Sequence, residues 1–326
     1  MDPLSHVLSL LKPHNYLSGG FMAGGAWSIQ FPDQQKGIKC SAIVAGECWL
    51  IVDGVADAVY LKAGDCILLP SGRPFRLATD LTMDPLDAEP IFADPNRSNI
   101  VSLNSGGDFL LISNRFALTD SHATLLLNML SPIVHIPYAQ DQTTLRWWVE
   151  RMMQEMQDPQ PGGFLVMQHL AHMMLVEALR LHLKDRLNGG VGWLFALADK
   201  QMSATMTALH DDPARRWNLQ DLAAVAGMSR SSFALKFKQT VGTSPMDYLT
   251  HWRMMLAADR LKHSREPIAT IALSLGYESE SAFSTAFKRV MGCPPRHYTH
   301  SRGATLAVKS EMHQALPDEH PLAVAQ

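Results

Sequence analysis

Apolar residues change their spacing partway along the chain. Up to about residue 113 they fall in short runs, several of them alternating with polar residues; from about Thr119 they recur every three or four positions. The first half predicts strands at 26–31, where Trp27, Ile29 and Phe31 alternate with Ser28 and Gln30, and at 39–44, 48–52, 55–61, 66–69, 75–77, 99–103 and 109–113. Asp53–Gly54 is a hairpin turn. Gly19–Gly20 and Gly24–Gly25 read as punctuation, and the Asp- and Pro-rich stretch 80–97 as a loop. Ahead of them, Leu4, Leu8 and Leu11 share one face of a short helix. Short strands joined by tight turns predict a small barrel or sandwich.

In the second half, Thr143 or Thr144 caps a helix through 145–156, ended by the DPQPGG breaker. Residues 164–187 form one long amphipathic helix, with Leu165, Met167, Leu170, Met174, Leu175, Ala178 and Leu179 on its apolar side. Residues 188–190 read as a linker, 193–209 as a further helical block and 245–263 as a helix capped by Ser244 with Pro245 at its first position. After Tyr298 periodicity is lost, and the polar tail 301–326 is expected to be disordered. The expected class is α+β and multidomain: residues 1–188 with strands and a helical dimerisation segment, 189–300 all-α, then the tail.

Within the all-α part, 219–237 (LQDLAAVAGMSRSSFALKF) reads as helix, turn, helix. Leu219, Leu222, Ala223, Val225 and Ala226 give the first helix an apolar side. Gly227 permits the positive φ that ends it sharply, and Ser229 caps the second. Phe233 and Phe237, four apart, pack back on the first helix, leaving Arg230, Ser231, Ala234 and Lys238 outside. A small, polar and basic outer face suits a DNA major groove, although such hairpins also serve as plain packing units. The stretch recurs: Leu222–Ala223 matches Ile271–Ala272, Gly227 matches Gly276, Phe233 and Phe237 match Phe283 and Phe287, Lys238 matches Lys288, Gly242 matches Gly292 and Pro245 matches Pro295. Two copies joined by one long helix are suited to successive major grooves about 34 Å apart.

Charge supports this placement. The chain of 326 residues has a net charge of −3, which excludes a generally basic nucleic-acid coat, yet residues 211–300 carry +4 and the remainder −7. Four cysteines without a CxxC pair indicate neither a zinc ribbon nor a secreted disulfide framework. The first residues lack a basic leader and no later segment reads as apolar for the length of a bilayer, so a cytoplasmic protein away from membranes is expected.

Residues 217–298 resemble the AraC/XylS family of bacterial transcription regulators, through WNLQDLAAVAGMSRSSFALKFKQTVGTSPMDYLTHWRMMLAADRL and IATIALSLGYESESAFSTAFKRVMGCPPRHY. The resemblance implies two helix-turn-helix units that bind double-stranded promoter DNA in a sequence-specific way, and RNA polymerase as a partner. It offers Arg230, Ser231, Ala234 and Leu235 from the first recognition helix and Glu280, Ser281, Ser284 and Thr285 from the second as base readers. The hydroxyls suit base edges, Ala234 a thymine methyl and Glu280 a cytosine amine. Lys238, Lys288 and Arg289 are phosphate contacts, which position without specifying.

GGAWSIQFP (24–32), GECWLIVDG (46–54) and AGDCILLPSGRPFRL (63–77) resemble the cupin-type sensor found ahead of this DNA-binding unit. That implies a small β-barrel binding a small-molecule effector, with activation the family's commoner mode. Cupin metalloenzymes need a histidine cluster; Phe75 stands at one expected His position and 39–50 contains none, so no metal site, cofactor or enzyme activity is expected. His169 and His172, three apart, read as helix-surface or interface residues, since a metal pair would need further ligands. An alternative sensing mode remains: Cys40, Cys48 and Cys66 fall on or beside strands, and oxidation of a close pair would switch the regulator. Oxidant-sensing relatives would be expected to carry cysteines in the Gly-rich N-terminal stretch, where this chain has Phe21 and Met22. The Met- and Leu-rich helices between Leu145 and Leu187 are the expected homodimer interface.

Overall fold

The computed structural model describes residues 1–34, 37–93, 99–118, 130–138, 143–184 and 192–300. The chain opens with α1 (Pro3–Leu11) and continues into β1 (His14–Ala23), β2 (Ser28–Phe31), β3 (Ile38–Ala45), β4 (Glu47–Val52), β5 (Val59–Lys62), β6 (Cys66–Leu69), β7 (Phe75–Ala78), β8 (Leu86–Asp87), α2 (Ala88–Phe92), β9 (Ile100–Leu103), β10 (Phe109–Ala117) and β11 (Val134–Ile136). Helices follow: α3 (Thr143–Gln157), α4 (Gly163–Lys184), α5 (Trp193–Ala196), α6 (Lys200–Asp211), α7 (Leu219–Val225), α8 (Arg230–Val241), α9 (Pro245–His263), α10 (Ile268–Ser274), α11 (Glu280–Met291) and α12 (Pro295–His300).

The strands make two facing sheets, the sandwich form of the two expected from the strand pattern, and not a closed form of the barrel that the resemblance implies. One runs β11-β6-β3-β10-β1-β9 and the other β5-β4-β7-β2-β8. Alternation sorts the larger sheet's side chains. Phe21, Ile43, Ile67, Phe109 and Leu111 face the second sheet, whose Trp27, Ile29, Leu50, Phe75 and Leu77 complete a core between them. Ile38, Cys40, Ala42, Ile112 and Phe116 face the other way, into a layer of helices. There the apolar side of α4 (Leu170, Met174, Leu175, Ala178, Leu179) is buried, so the face expected to dimerise is occupied by the chain's own sheet. The exposed large apolar residues of α3 and α4 are Trp147, Phe164, Leu165, Val166 and Met173, of which Leu165 alone belongs to the expected apolar side. The expectation of no bilayer-length apolar segment is also corrected, since Gly163–Leu183 reaches a mean hydropathy of 1.2 over a spanning length.

β1 was not foreseen, because Gly19 and Gly20 lie inside it instead of ending it. They let β9 pair in parallel alongside: a Cβ on Gly20 would sit 2.9 Å from Ile100 Cγ1, and one on Gly19 3.3 Å from the Asn99 carbonyl oxygen. The expected loop at 80–97 holds β8 and α2, which starts at an Asp87 side chain accepting from the Glu89 amide. The start of the helical pattern near 119, the linker at 188–190 and the tail lie outside the described residues.

The helix-layer core runs on without a break into α6, α7, α8 and one side of α9, through Met202, Met206, Leu222, Phe233, Phe237 and Trp252. The other side of α9 (Met254, Ala257, Ala258, Leu261) builds a separate core with Ile271, Phe283, Phe287 and Tyr298.

Candidate nucleic-acid interface and its connection to the sheets

The turn and the recognition-helix cap are built by the same local chemistry in both helix-turn-helix units, while the first helix is capped by a side chain in the first unit and follows Pro267 in the second. In the first, the Asn218 side chain caps α7 by accepting from the Gln220 and Asp221 amides, each at 2.9 Å. Gly227 takes φ +63°, and the Met228 amide reaches back to the Ala223 carbonyl at 2.9 Å. Ser229 then caps α8, accepting from the Ser232 amide at 3.3 Å. In the second unit Gly276 has φ +81°, the Tyr277 amide reaches the Ala272 carbonyl at 3.0 Å, and Ser279 caps α11 by accepting from the Ala282 amide at 3.2 Å. The recognition helices repeat in burial position by position from 231–240 to 281–290. Phe233, Phe237, Phe283 and Phe287 are fully buried, and each pair of rings lies 5.7 Å apart.

The outer faces hold the residues singled out from sequence. Arg230, Ser231, Leu235 and Lys238 are exposed and Ala234 is half-buried; Ser281, Thr285, Lys288 and Arg289 are exposed, and Glu280 and Ser284 half-buried. Three side chains are already engaged. The Ser231 hydroxyl lies 3.4 Å from that of Ser229. The Thr285 hydroxyl donates to the Ser281 carbonyl at 3.0 Å, which leaves it an acceptor toward a base. Glu280 lies 3.6 Å from the Arg296 guanidinium, which offsets its repulsion from phosphate.

Sequence reasoning missed the bracket that sets the two units against each other. Arg253, on α9, donates to the Pro213 carbonyl at 2.6 Å and the Arg215 carbonyl at 2.9 Å, and its guanidinium stands 5.7 Å from the centre of the Tyr277 ring. The loop ahead of the first unit is thereby held against the turn of the second. The contact is close: a Cβ on Gly276 would meet the Ala214 carbonyl oxygen at 2.2 Å. Arg216 and Glu278 add an exposed ion pair at 2.7 Å.

Also unforeseen is where α1 docks. Although it leads into the first sheet, it packs on α6 and α9. Lys12 Nζ lies 2.7 Å from Asp259, the N-terminal amine 3.4 Å from Asp211, and the His6 ring 5.7 Å from His210. His210 stacks on Trp252 at 3.8 Å and its Nε2 lies 2.8 Å from the Tyr248 hydroxyl. Burial holds its imidazole down to about 3, so it is neutral near pH 7.

The three strand cysteines divide between two cores. Cys40 and Cys66 lie on neighbouring strands in the helix-facing core, Cys48 in the core between the sheets. A hydrogen bond with Cys40 and burial push the Cys66 thiol up, and burial pushes Cys48 to about 12, which withholds the reactive thiolate. Phe75, at the expected metal-ligand position, is buried and stacks on Phe31 with ring centres 4.5 Å apart. His172 has both ring nitrogens against carbonyls, of Gln168 at 2.7 Å and Pro13 at 2.5 Å, while His169 is exposed.

Two outward recognition helices on one bracketed spine, docked against a pair of sheets, define a two-part DNA-binding regulator. Comparison with known proteins agrees. Residues 2–184 match the cupin family and 222–301 a helix-turn-helix domain. An AraC-like transcription regulator of Streptomyces lividans is 42% identical over 91% of this chain and 98% of its own length. The HTH-type transcriptional regulator AlkR of Acinetobacter baylyi is 32% identical over 91% of this chain and 99% of its own. The solved DNA-binding domain of AdpA in complex with a target DNA is 26% identical, covers 31% of this chain and 91% of that one, and has a TM-score of 0.30. The chain belongs to the AraC-like family of transcription regulators, and its helix-turn-helix part binds DNA.

Proposed function

We propose that this protein is a cytoplasmic, effector-controlled transcription activator that reads a bipartite promoter site, with α8 and α11 entering successive major grooves. The observation that carries the reading is the repeated exposure pattern of 231–240 and 281–290, which presents two equivalent small, polar and basic faces. Arg230, Ser231, Ala234 and Leu235 read one half of the site, and Glu280, Ser281, Ser284 and Thr285 the other. Lys238, Lys288 and Arg289 hold phosphates. The sheets receive the signal. Residues of β1 face the space between them, and α1, just upstream, grips α6 and α9; a ligand that alters β1 therefore acts on the first reading unit. It shifts the arrangement only by binding one state better than another. Homodimerisation through the outer side of the α3–α4 hairpin fits the exposure of Trp147, Phe164 and Leu165. RNA polymerase is the downstream partner.

The test is selection of DNA sites from a random library by the full chain, followed by binding to the selected site across a salt series. Two conserved half-sites about one helical turn apart, bound with steep salt dependence, are expected. A single half-site, or binding indifferent to sequence, overturns the reading.

A further inference from the structure

The space between the two sheets changes chemistry along its length. Cross-strand partners of β3 and β10 that face inward run from Ile43 and Leu111, through Ser41 and Ser113, to Lys39 and Arg115. The two serine hydroxyls are bonded at 2.9 Å. An inner face that begins as ordinary core thus ends in two cations side by side. There the sheets part around a cavity of about 180 Å³, walled by Phe21, Phe31, Phe92 and Leu111 and reached by Lys39, Ser113 and Arg115. No carboxylate lines it among the described residues.

Lys39 is 5% exposed. Its ammonium lies 5.3 Å and 5.2 Å from the ring centres of Phe31 and Phe75, and it makes no hydrogen bond or ion pair among the described residues. A buried ammonium without an acid is costly, and ring faces compensate only partly. The cavity has room for one ring or a short chain.

We propose that this cavity is a binding site for a small apolar monocarboxylate, whose charge is met by Lys39 with Arg115 alongside, and whose body lies against Phe21, Phe31 and Phe92. One carboxylate suits a single buried ammonium and a largely apolar wall, whereas a strongly hydrated dianion such as phosphate has no apolar body to lie against the three phenylalanines. The inference rests on the effector reading in one respect only, that occupancy is a signal. Bound carboxylate also stabilises the charged form of Lys39, which burial and the neighbouring Arg115 hold well below the usual lysine range. Two buffers of different ionisation enthalpy report whether Lys39 gains its proton on binding or already holds it.

The experiment is calorimetric titration of the full chain with phenylacetate and hexanoate, with their uncharged amides, and with inorganic phosphate. Each is run in two buffers of different ionisation enthalpy, on the natural chain and on Lys39→Met, whose unfolding is checked first; Lys39→Arg serves as a second variant. At least one carboxylate should bind, and its amide about tenfold more weakly or worse, the effect of losing one charge-assisted hydrogen bond. Lys39→Met should bind acid and amide alike, and Lys39→Arg should retain the preference for acid. No carboxylate binding, equal binding by natural chain and Lys39→Met, or phosphate binding as tightly as either acid overturns the site. Affinity for the selected DNA, measured with and without ligand, separates the two readings. Lys39-dependent binding that leaves DNA affinity unchanged upholds the site and removes the effector role. Control of DNA binding by a molecule of another class, without carboxylate uptake, does the reverse.

Discussion

The two helix-turn-helix units match in their turns and in the caps and exposure of their recognition helices, yet they are held in different ways. The core of the first unit is continuous with the helix layer under the larger sheet, and α1 grips its α6. The second has a core of its own and hangs from the far side of α9, indexed by Arg253 and the Ala214–Gly276 contact. Identical local rules therefore build two readers with different mechanical standing. A change in the sheets meets the first unit directly, and the second only through the spine and the bracket. The difference lies in embedding and not in recognition chemistry.

Truncating the equivalent phenylalanines should expose this difference most strongly. Phe237→Ala and Phe287→Ala each remove a fully buried ring, at a cost of about 3–5 kcal/mol. Followed by amide hydrogen exchange, Phe287→Ala should lose protection in α10–α12 and leave the sheets and α4 as they were. Phe237→Ala should weaken protection through α6–α9 and into the α3–α4 layer. Equal, local losses in both variants would show that the shared core does not act as one unit.

Acid should separate the units next. His210 is buried against the first core, where Tyr248, Trp252 and the His6 and Asp211 side chains surround or adjoin it; among the described residues the second unit has no buried histidine. Its folded-state value near 3 lies below the ordinary 6.5, so the unfolded chain binds the proton first. The stability this neutral imidazole confers is present above pH 6.5 and is lost as pH falls toward 3. From pH 6.5 to 5 the loss should reach about 2 kcal/mol. Denaturant melts of the full chain in that window should show it, and His210→Phe should flatten the slope. If the slope survives that substitution, another group is responsible.

These two differences were not legible in the sequence, whereas the units themselves were. Gly227, Ser229 and the Phe233/Phe237 spacing act within about a dozen residues, and their recurrence at Gly276, Ser279 and Phe283/Phe287 made them readable twice. What sets embedding is long-range. Nothing near Arg253 announces that its donors go to Pro213 and Arg215, 40 and 38 residues back. Nothing in α1 says that Lys12 will find Asp259. In the sheets, most strands followed from alternation, but β1 was hidden by Gly19–Gly20, whose role is to admit β9 and not to turn the chain. Lys39 did carry a signal: it sits in phase with inward Ile43 on one strand, where a charged residue breaks the pattern.

The smallest contrast concerns the phosphate contacts. Lys238 and Lys288 occupy equivalent exposed positions, but Arg289 follows Lys288 where Gln239 follows Lys238, so the second unit ends in two cations and the first in one. If each contacts one phosphate, each alanine substitution should reduce the slope of log K against log salt by about 0.9. Lys238→Ala should therefore lose about 0.9 and the pair Lys288→Ala with Arg289→Ala about 1.8, with sequence preference unchanged in both, because phosphate contacts carry no base information. Equal slope changes would mean that Arg289 points away from the backbone, and the second unit's grip would then be no stronger than the first's. Changed base preference in either variant would move that residue from the phosphates to the groove floor. The expected asymmetry makes the unit farther from the sheets the more firmly charged anchor, and leaves the unit that touches the sheets easier to release.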